Sequence, residues 1–223
     1  MVKTLPKLEK LFKNNELFTL ALTHRSYLNE HSEVKESNER VEFLGDAILS
    51  FIVSRYLYLK YPDKPEGQLT LFRTKLVQTA TLGKLAKELL IGDQLYLSKG
   101  EETNGGRSNV ALLANSYEAV LGALLLDQGL EACERFVTET LLSRAEELLE
   151  ESPVDAKSEL QEKVQAGGLP SPLYETVAAQ GPDHAKIFTV VVKVEGKVLG
   201  EGKGRSKQEA EQKAAAAGLS GTN

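Results

Sequence analysis

Three carboxylates lie on one side of a predicted helix in the segment "NERVEFLGDAIL", which runs from Asn38 to Leu49. Each helical residue advances about 100°, so Glu39 and Asp46 differ by only about 20° around the axis, and Glu42 lies about 60° to one side. Acids at this spacing usually form a solvated helix face. Here they interrupt apolar rows, and no Lys or Arg is spaced to pair well with Glu42 or Asp46. The three acids therefore mark a candidate site.

A second predicted helix, "LLANSYEAVLGALLL", is almost wholly apolar but carries Asn115 and Glu118 one turn apart on one side. A buried acid is costly unless something neutralises it. Several carboxylates that face one another raise one another's pKa and bind protons, unless a cation occupies the space. Oxygen ligands without His or Cys suit Mg²⁺ or Mn²⁺ rather than zinc. Such a site is suited to hold two ions about 4 Å apart and to serve phosphoryl chemistry.

The elements that must position these acids are predicted to be helices. Apolar residues recur at helical spacing through the first two thirds of the chain, and no segment there alternates convincingly as a strand would. Pro and Gly interrupt the pattern in "YPDKPEGQ" and "KGEETNGGRSN", which we predict to be loops. A further Pro, in "EESPVD", places the end of an all-α domain, residues 1–151. The predicted helices run over residues 17–27, 39–59, 68–90 as one helix or two, 109–126 and 130–150.

Residues 155–221 are predicted to form a small α+β domain with the order α-β-β-β-α, so that the chain is multidomain. A helix over 155–165 is followed by three strand-like runs, of which the second and third are joined by the hairpin turn "VEGKV". The alanine-rich "SKQEAEQKAAAAGL" predicts a last helix capped by Ser206. "GEGKG" is not read as a nucleotide-binding loop, because the Gly that would complete G-x4-G-K is absent. In the middle strand, alternation places on one face Phe188, Val190, Val192 and Val194.

Composition indicates an ordinary globular protein. The start of the chain has no apolar h-region, and the longest apolar run, 123–126 with its flanks, is too short to span a bilayer. The single Cys133 allows no internal disulfide and no cysteine-based metal site, so we expect a reducing, cytoplasmic compartment. The net charge of −5 belongs to the first domain, because residues 153–223 hold 9 Lys or Arg and 9 Asp or Glu. The acidic total therefore does not argue against a nucleic-acid partner for the second domain.

Four stretches of the first domain resemble the ribonuclease III family, in the order in which that family carries them. "NERVEFLGDAIL" is very close to its signature motif, usually N-E-R-L-E-F-L-G-D-A-V-L, and "ALTHRSYLNE" lies upstream of it. "EGQLTLFRTKLV" and "LLANSYEAVLGALLLDQG" follow downstream. The likeness covers nearly the whole chain, and the long signature is highly specific.

The resemblance implies an all-helical homodimeric endonuclease domain that cuts double-stranded RNA with Mg²⁺, for which Mn²⁺ is a substitute. By motif position, the metal-binding set is Glu42, Asp46, Asn115 and Glu118. The catalytic set overlaps with it and consists of Glu39, Asp46, Glu66 and Glu118. Of these, Glu39 and Glu66 are expected to support the positioning of RNA or water.

The reaction that the resemblance implies is in-line attack of a metal-activated water on the phosphodiester, which leaves 5′-phosphate and 3′-hydroxyl ends. Two active sites across the dimer give short 3′ overhangs. Phe43 matches the position at which the family inserts a Phe into the partner subunit, and an ordinary core Phe is nearly as good an interpretation. Processing of ribosomal and messenger RNA is the expected role, with neither a membrane nor a small-molecule substrate.

Asn115 departs from the family pattern, in which many members have Asp at this position. An amide oxygen can still bind a metal but brings no charge. We expect a tolerated variant, and the alternative is a catalytically impaired homodimer that binds double-stranded RNA. An alternative outside this family is a helical metalloenzyme with an unrelated tail, but this interpretation leaves the second domain unexplained. His24, with Arg25 and Ser26, matches a further family box, where a cap at a helix start is favoured over a catalytic base.

Three short stretches of the second domain resemble the double-stranded RNA-binding domain: "SELQEKVQ", "GPDHAKIF" and "GKGRSKQEAEQKAA". The last stretch combines the free N–H groups and dipole of a helix N-terminus with flanking cations, which makes an anion site. Polar side chains of the other two can reach 2′-hydroxyls in the minor groove. Gln208 stands where the family has a second basic residue, so we expect a weaker phosphate contact. The predicted RNA-binding residues are Gln161, Glu162, His184, Lys203, Arg205, Ser206 and Lys207.

Overall fold

The computed structural model describes residues 7–151, 156–182 and 186–221. The chain divides into two compact units, Met1–Leu149 and Glu150–Asn223. The first unit is helical, and the second combines a three-stranded sheet with helices. The predicted two-domain architecture, an all-α domain followed by an α-β-β-β-α domain, is confirmed.

Short segments join the helices of the first unit, and in the described part of the chain three of these segments contain a 3-10 helix. In chain order the helices are α1 (Asn15–Leu22), α2 (Glu39–Lys60), α3 (Glu66–Val77), α4 (Thr79–Glu88), α5 (Ile91–Gln94), α6 (Lys99–Thr103), α7 (Val110–Gln128), α8 (Leu130–Thr140) and α9 (Ala145–Glu151). The sequence predicted α2 and α7 to within two residues at either end. The helix predicted over 68–90 is two helices, α3 and α4, which meet at the extended residue Gln78.

Three expectations about the helical unit are wrong. The helix predicted over 17–27 ends at Leu22, and a 3-10 helix, Arg25–Asn29, follows it. The helix predicted over 130–150 is broken between α8 and α9 by another 3-10 helix, Leu142–Arg144. The glycine-rich stretch predicted as a loop contains α6, because Ser98 caps that helix by accepting a hydrogen bond from the N–H of Glu101. Side-chain caps accompany the first and third of these departures, by His24 and by Ser98.

Helix α7 is the centre of the first unit, where it packs against α1, α2 and α4. Its largest side chain, Tyr117, is fully buried, and the Tyr117 hydroxyl hydrogen-bonds the Thr140 hydroxyl at 2.7 Å. By length and composition alone, α7 is the one helix in the described residues that is long and apolar enough to cross a membrane. Most of its middle residues are buried against the other helices, which is the behaviour of a core helix.

The second unit is built on an antiparallel sheet of β1 (Leu173–Gln180), β2 (Ile187–Val194) and β3 (Lys197–Gly204), in that spatial order. Glu195 and Gly196 form the hairpin turn between β2 and β3 with φ values of 50° and 80°. A two-residue turn with both φ angles positive matches the twist of the strands, so the predicted "VEGKV" hairpin is confirmed. The four alternating residues of β2 all belong to the core of this unit or pack against it, as predicted.

Glycines on β3 let the last helix lie directly on the sheet. The second unit has the helices α10 (Ala156–Ala166) and α11 (Lys207–Gly221). A Cβ atom on Gly200 or Gly202 would lie 2.4 Å or 2.3 Å from a carbonyl oxygen of α11. The buried residues of α11 are correspondingly small, and Ala210 and Ala214 are fully buried. The "GEGKG" stretch is therefore a packing surface, in agreement with the rejection of a nucleotide loop.

Candidate active site

Two glycines bring α2 and α7 into backbone contact. A Cβ atom on Gly45 would lie 1.8 Å from the carbonyl oxygen of Glu118, and one on Gly122 would lie 1.9 Å from the carbonyl oxygen of Val41. Neither position has room for a larger residue unless the helices move apart. The crossing therefore holds the acidic face of α2 directly beside Glu118 of α7.

Glu42, Asp46 and Glu118 form an electrostatically coupled group at this crossing. Burial, and then the negative charges of Asp46 and Glu42, raise the pKa of Glu118 to about 7. Burial also raises the pKa of Glu42, and the charges of Glu39 and Asp46 add to the effect. Glu42 and Glu118 are half-buried, whereas Asp46 is exposed. A cation among these carboxylates would relieve both the repulsion and the cost of burial.

A cavity of about 370 Å³ opens beside the first turn of α2. It brings together parts of the chain that are far apart in sequence, including two of the four predicted metal-binding positions, Glu42 and Asn115. The cavity is lined by His24, Arg25, Asn38, Glu39, Glu42, Leu112 and Asn115.

The donor chemistry of the crossing fits a hard divalent cation. Three carboxylates and one amide oxygen come from the four predicted metal-binding positions, which is the oxygen-rich set that Mg²⁺ and Mn²⁺ prefer. Among the residues that the structure describes, no three His, Cys, Asp or Glu side chains already converge as a formed metal site. Across the crossing, the negative charges of Asp46 and Glu42 add to the effect of burial in raising the pKa of Glu118.

The two acids predicted to support the site have different surroundings. Glu39, the first residue of α2, lines the cavity, and its two carboxylate oxygens contact Arg25 Nη1 at 3.3 Å and the Ser37 hydroxyl at 2.9 Å. Glu66, at the start of α3, accepts a hydrogen bond from the Thr70 hydroxyl at 2.9 Å. Glu66 is exposed and is not part of the cavity lining. Glu39 therefore lines the cavity, and Glu66 does not.

His24 acts as a cap in this structure. Its Nδ1 accepts a hydrogen bond from the N–H of Ser26 at 3.3 Å and lies 2.9 Å from the Ser26 hydroxyl. Burial lowers the pKa of His24, although the nearby Glu101 opposes the change. The predicted cap at the start of a helix is confirmed.

Phe43 lies on the outer face of α2 and is 80% exposed, and Phe51, two turns further along, is 50% exposed. Ala47 lies between them and is exposed as well. The interpretation of Phe43 as an ordinary core residue is therefore wrong for the single chain. Its role as a dimer contact stays a prediction.

Four of the seven lining residues are not among the predicted site residues, namely His24, Arg25, Asn38 and Leu112. Asn38 is buried, and it donates hydrogen bonds to the carbonyl oxygens of Ala21 at 3.2 Å and Thr23 at 2.8 Å, which tie the start of α2 to the end of α1. Arg25 reaches Glu39 from 14 residues away. Helical spacing does not predict Arg25 as a partner of Glu39, because the pair joins two separate segments.

The start of α11 has the predicted geometry. The Ser206 hydroxyl oxygen accepts a hydrogen bond from the N–H of Glu209 at 3.1 Å, and the Glu209 carboxylate accepts one from the N–H of Arg205 at 2.8 Å. The predicted cap by Ser206 is therefore confirmed. Arg205 and Lys207 are exposed beside it, so two cations flank the helix N-terminus.

The remaining predicted RNA-binding residues are distributed over the second unit. Lys203 is exposed on β3, with its Nζ 3.9 Å from a Glu201 carboxylate oxygen. Gln161 and Glu162 are exposed on α10. His184 lies outside the described residues. The contribution of each to RNA binding stays a prediction.

The helical unit with its acidic crossing and the sheet unit with its basic helix start have the chemistry that suits a phosphodiester hydrolase with its own nucleic-acid-binding domain. Residues 14–145 match the family model described as Ribonuclease-III-like, and residues 156–221 match the double-stranded RNA binding motif. The chain belongs to the ribonuclease III family and is an endoribonuclease with a double-stranded RNA-binding domain.

Individual relatives agree with this assignment. Ribonuclease 3 of Streptococcus gordonii is 45% identical over 206 residues, which span 92% of this chain and 89% of that protein. Ribonuclease 3 of Geobacillus kaustophilus is 47% identical over 205 residues, which span 92% of this chain and 83% of that protein. The crystal structure of the ribonuclease III nuclease domain from Campylobacter jejuni is 34% identical with a TM-score of 0.55, and the match covers 68% of this chain and 98% of that one.

Proposed function

We propose that this endoribonuclease cuts double-stranded RNA with the help of a divalent metal ion, Mg²⁺ or in its place Mn²⁺, during RNA processing. The products would carry 5′-phosphate and 3′-hydroxyl ends with short 3′ overhangs. The observation that carries the proposal is the coupled group of Glu42, Asp46 and Glu118 at the glycine crossing. Membership of the ribonuclease III family, which is generally dependent on divalent metals, supports it.

The proposed roles at the crossing follow from the positions of the side chains. Glu42, Asp46 and Glu118 would hold the metal, and Asn115 would add a neutral amide oxygen. When bound, a divalent ion activates water and stabilises the charge that develops on the phosphate. Glu39, whose carboxylate accepts a hydrogen bond from the Ser37 hydroxyl, would accept a hydrogen bond from the water that attacks the phosphodiester.

The second unit would hold the duplex. The basic N-terminus of α11 offers free N–H groups and exposed cations to the RNA backbone, so it would contact phosphates and read little sequence. The polar residues of α10 would reach 2′-hydroxyls and thereby distinguish RNA from DNA.

We propose that two copies assemble through the outer face of α2. Phe43, Ala47 and Phe51 form an exposed apolar row along that helix, and such a row is costly in water. A related structure, the nuclease domain from Campylobacter jejuni at 36% identity and a TM-score of 0.55, is described as having a region involved in dimer formation. A homodimer would place two active sites on one duplex.

The cytoplasmic location stays part of the proposal. Cys133 is buried, and burial raises the pKa of its thiol to about 11. A thiol of this kind is inert and packs like a small apolar residue. This behaviour suits a compartment in which disulfides are not used.

The test is incubation of the full chain with a long RNA duplex in Mg²⁺, in Mn²⁺ and in EDTA. We expect cutting to short duplexes in either metal and none in EDTA, with 5′-phosphate ends that accept ligation directly. Glu118→Gln should abolish the cutting and leave duplex binding intact. Glu131→Gln makes the same chemical change on an exposed acid of α8 and should cut at the native rate.

An Asn115→Asp variant distinguishes the main proposal from the catalytically impaired alternative. If the native chain cuts, Asn115 is compatible with activity, and the Asp variant should bind the metal more tightly because of the added charge. Duplex binding without cutting, with activity gained only by the Asp variant, would show a binding protein built on a disabled nuclease.

A further inference from the structure

Arg25 is the only Lys or Arg among the described residues that line the cavity beside α2. Its neighbours there are the carboxylates of Glu39 and Glu42 and the half-buried His24, whose pKa is lowered. A cavity of this composition repels a phosphate unless a cation screens it. Arg25 is therefore the residue through which an RNA strand could approach the carboxylates.

The backbone around Arg25 is held in place on both sides. The N–H of His24 donates to the carbonyl oxygen of Tyr96 at 3.1 Å, and the N–H of Tyr96 donates to that of Leu22 at 2.9 Å. On the other side, the N–H of Ser98 donates to the Ser26 hydroxyl oxygen at 3.1 Å. These bonds attach the segment to the chain that leads into α6. The Cα position of Arg25 is thus fixed beside the cavity.

The side chain of Arg25 is held far more weakly than its backbone. Its guanidinium contacts Glu39 through one nitrogen at 3.3 Å, and the two side chains are 72% and 56% exposed. Exposed pairs of this kind contribute little to stability. A phosphate can replace the Glu39 carboxylate at low cost, and a guanidinium binds two phosphate oxygens at once.

We infer that Arg25 is a substrate-binding residue that exchanges its contact with Glu39 for a phosphate of the RNA strand entering the cavity. The inference rests on the proposed function, since it assumes that the strand to be cut reaches the acidic crossing. It assigns to the nuclease unit a phosphate contact separate from those of α11.

The first test compares Arg25→Ala with Arg135→Ala in the full chain. Arg135 is an exposed arginine of α8 that is also paired with a single glutamate, Glu131, at 2.8 Å. We expect Arg25→Ala to lower kcat/KM for a duplex about tenfold or more, and to reduce the slope of log(kcat/KM) against log[salt] by about 0.9. Arg135→Ala should change neither quantity. Equal values for the two variants would overturn the inference.

A double-mutant cycle separates contact with the substrate from mere orientation of Glu39. If Arg25 serves only to orient Glu39, Arg25→Ala should have no further effect in a Glu39→Gln background. If it contacts phosphate, the loss in kcat/KM and in salt slope should persist in that background, and Arg25→Lys should restore part of it. Melting temperatures should be unchanged throughout, because the pair is exposed.

The experiment remains decisive if the proposed function fails. If the native chain cuts normally and Arg25→Ala has no effect, the inference is refuted. The proposed function is then unaffected. A native chain that does not cut in Mg²⁺ would refute the function, and the dissociation constant of the intact duplex in Mg²⁺ could then be measured directly. In that case an unchanged salt slope for Arg25→Ala would refute the inference as well.

Discussion

Replacement of Gly45 by Ala tests whether the close approach of α2 and α7 assembles the site. The new Cβ would lie 1.8 Å from the carbonyl oxygen of Glu118, whereas such atoms require at least about 3 Å, so the helices must separate locally by more than about 1 Å. Overpacking of a tight core costs about 1–3 kcal/mol. For a domain of this size, that cost lowers the melting temperature by about 3–10 °C.

The effect on catalysis should exceed the effect on stability. Displacement of about 1 Å at a positioned reactive group can lower the rate about 100-fold. We would measure melting by circular dichroism and single-turnover cutting of a duplex well below the melting temperature of the variant. Gly122→Ala, which meets the carbonyl oxygen of Val41 at 1.9 Å, should reproduce both losses from the opposite helix.

Gly67→Ala is the matched control. Gly67 lies in the first turn of α3, and nothing lies within 4 Å of the position of its Cβ. Alanine there should raise the melting temperature slightly, because it restricts the unfolded chain, and should leave cutting unchanged. If Gly45→Ala behaved like Gly67→Ala in both assays, the reasoning about the crossing would be refuted.

In EDTA, the stabilisation linked to the raised pKa of Glu118 should be complete below its ordinary value of 4.5 and lost as the pH rises through about 7. Melting scans from pH 5 to 8 should show this decline in the native chain and not in Glu118→Gln, and an equal decline in the variant would contradict the prediction. Lys207→Glu should weaken duplex binding and reduce its salt slope by about 0.9 or more, whereas Lys197→Glu, at the opposite end of β3, should not. Phe43→Ala should shift a dimer towards monomer in sedimentation, whereas Leu126→Ala, which also removes an exposed side chain, should leave the assembly as it was.

The sequence predicted the site residues that recur at helical spacing within one helix. Glu39, Glu42 and Asp46 share a face because the helical period alone dictates it, and the period equally predicted the long helices that carry them. Asn115 and Glu118 were recognised because polar groups stood out in an apolar helix. The resemblance to a known family supplied the pairing of these two sets.

Features that depend on contacts between distant segments could not be predicted from the period. The segment with His24 and Arg25 looked like the end of a helix, but capping and hydrogen bonds to Tyr96 turned it towards the cavity. Glu66 matched a motif in sequence, and yet the fold of one chain does not place it in the cavity. The role of Gly45 as a contact point was invisible, because its partner is a backbone atom 73 positions along the chain.

The central position of α7 has a consequence for hydrogen exchange. A helix that is packed on several sides cannot open locally, so its amides should exchange only when the whole unit unfolds. Because Glu118 projects from this helix, the α7 side of the acidic crossing should stay ordered until the first unit unfolds as a whole. On gradual heating, loss of the nuclease site and global unfolding of the first unit should therefore coincide, without a folded but inactive stage caused by α7.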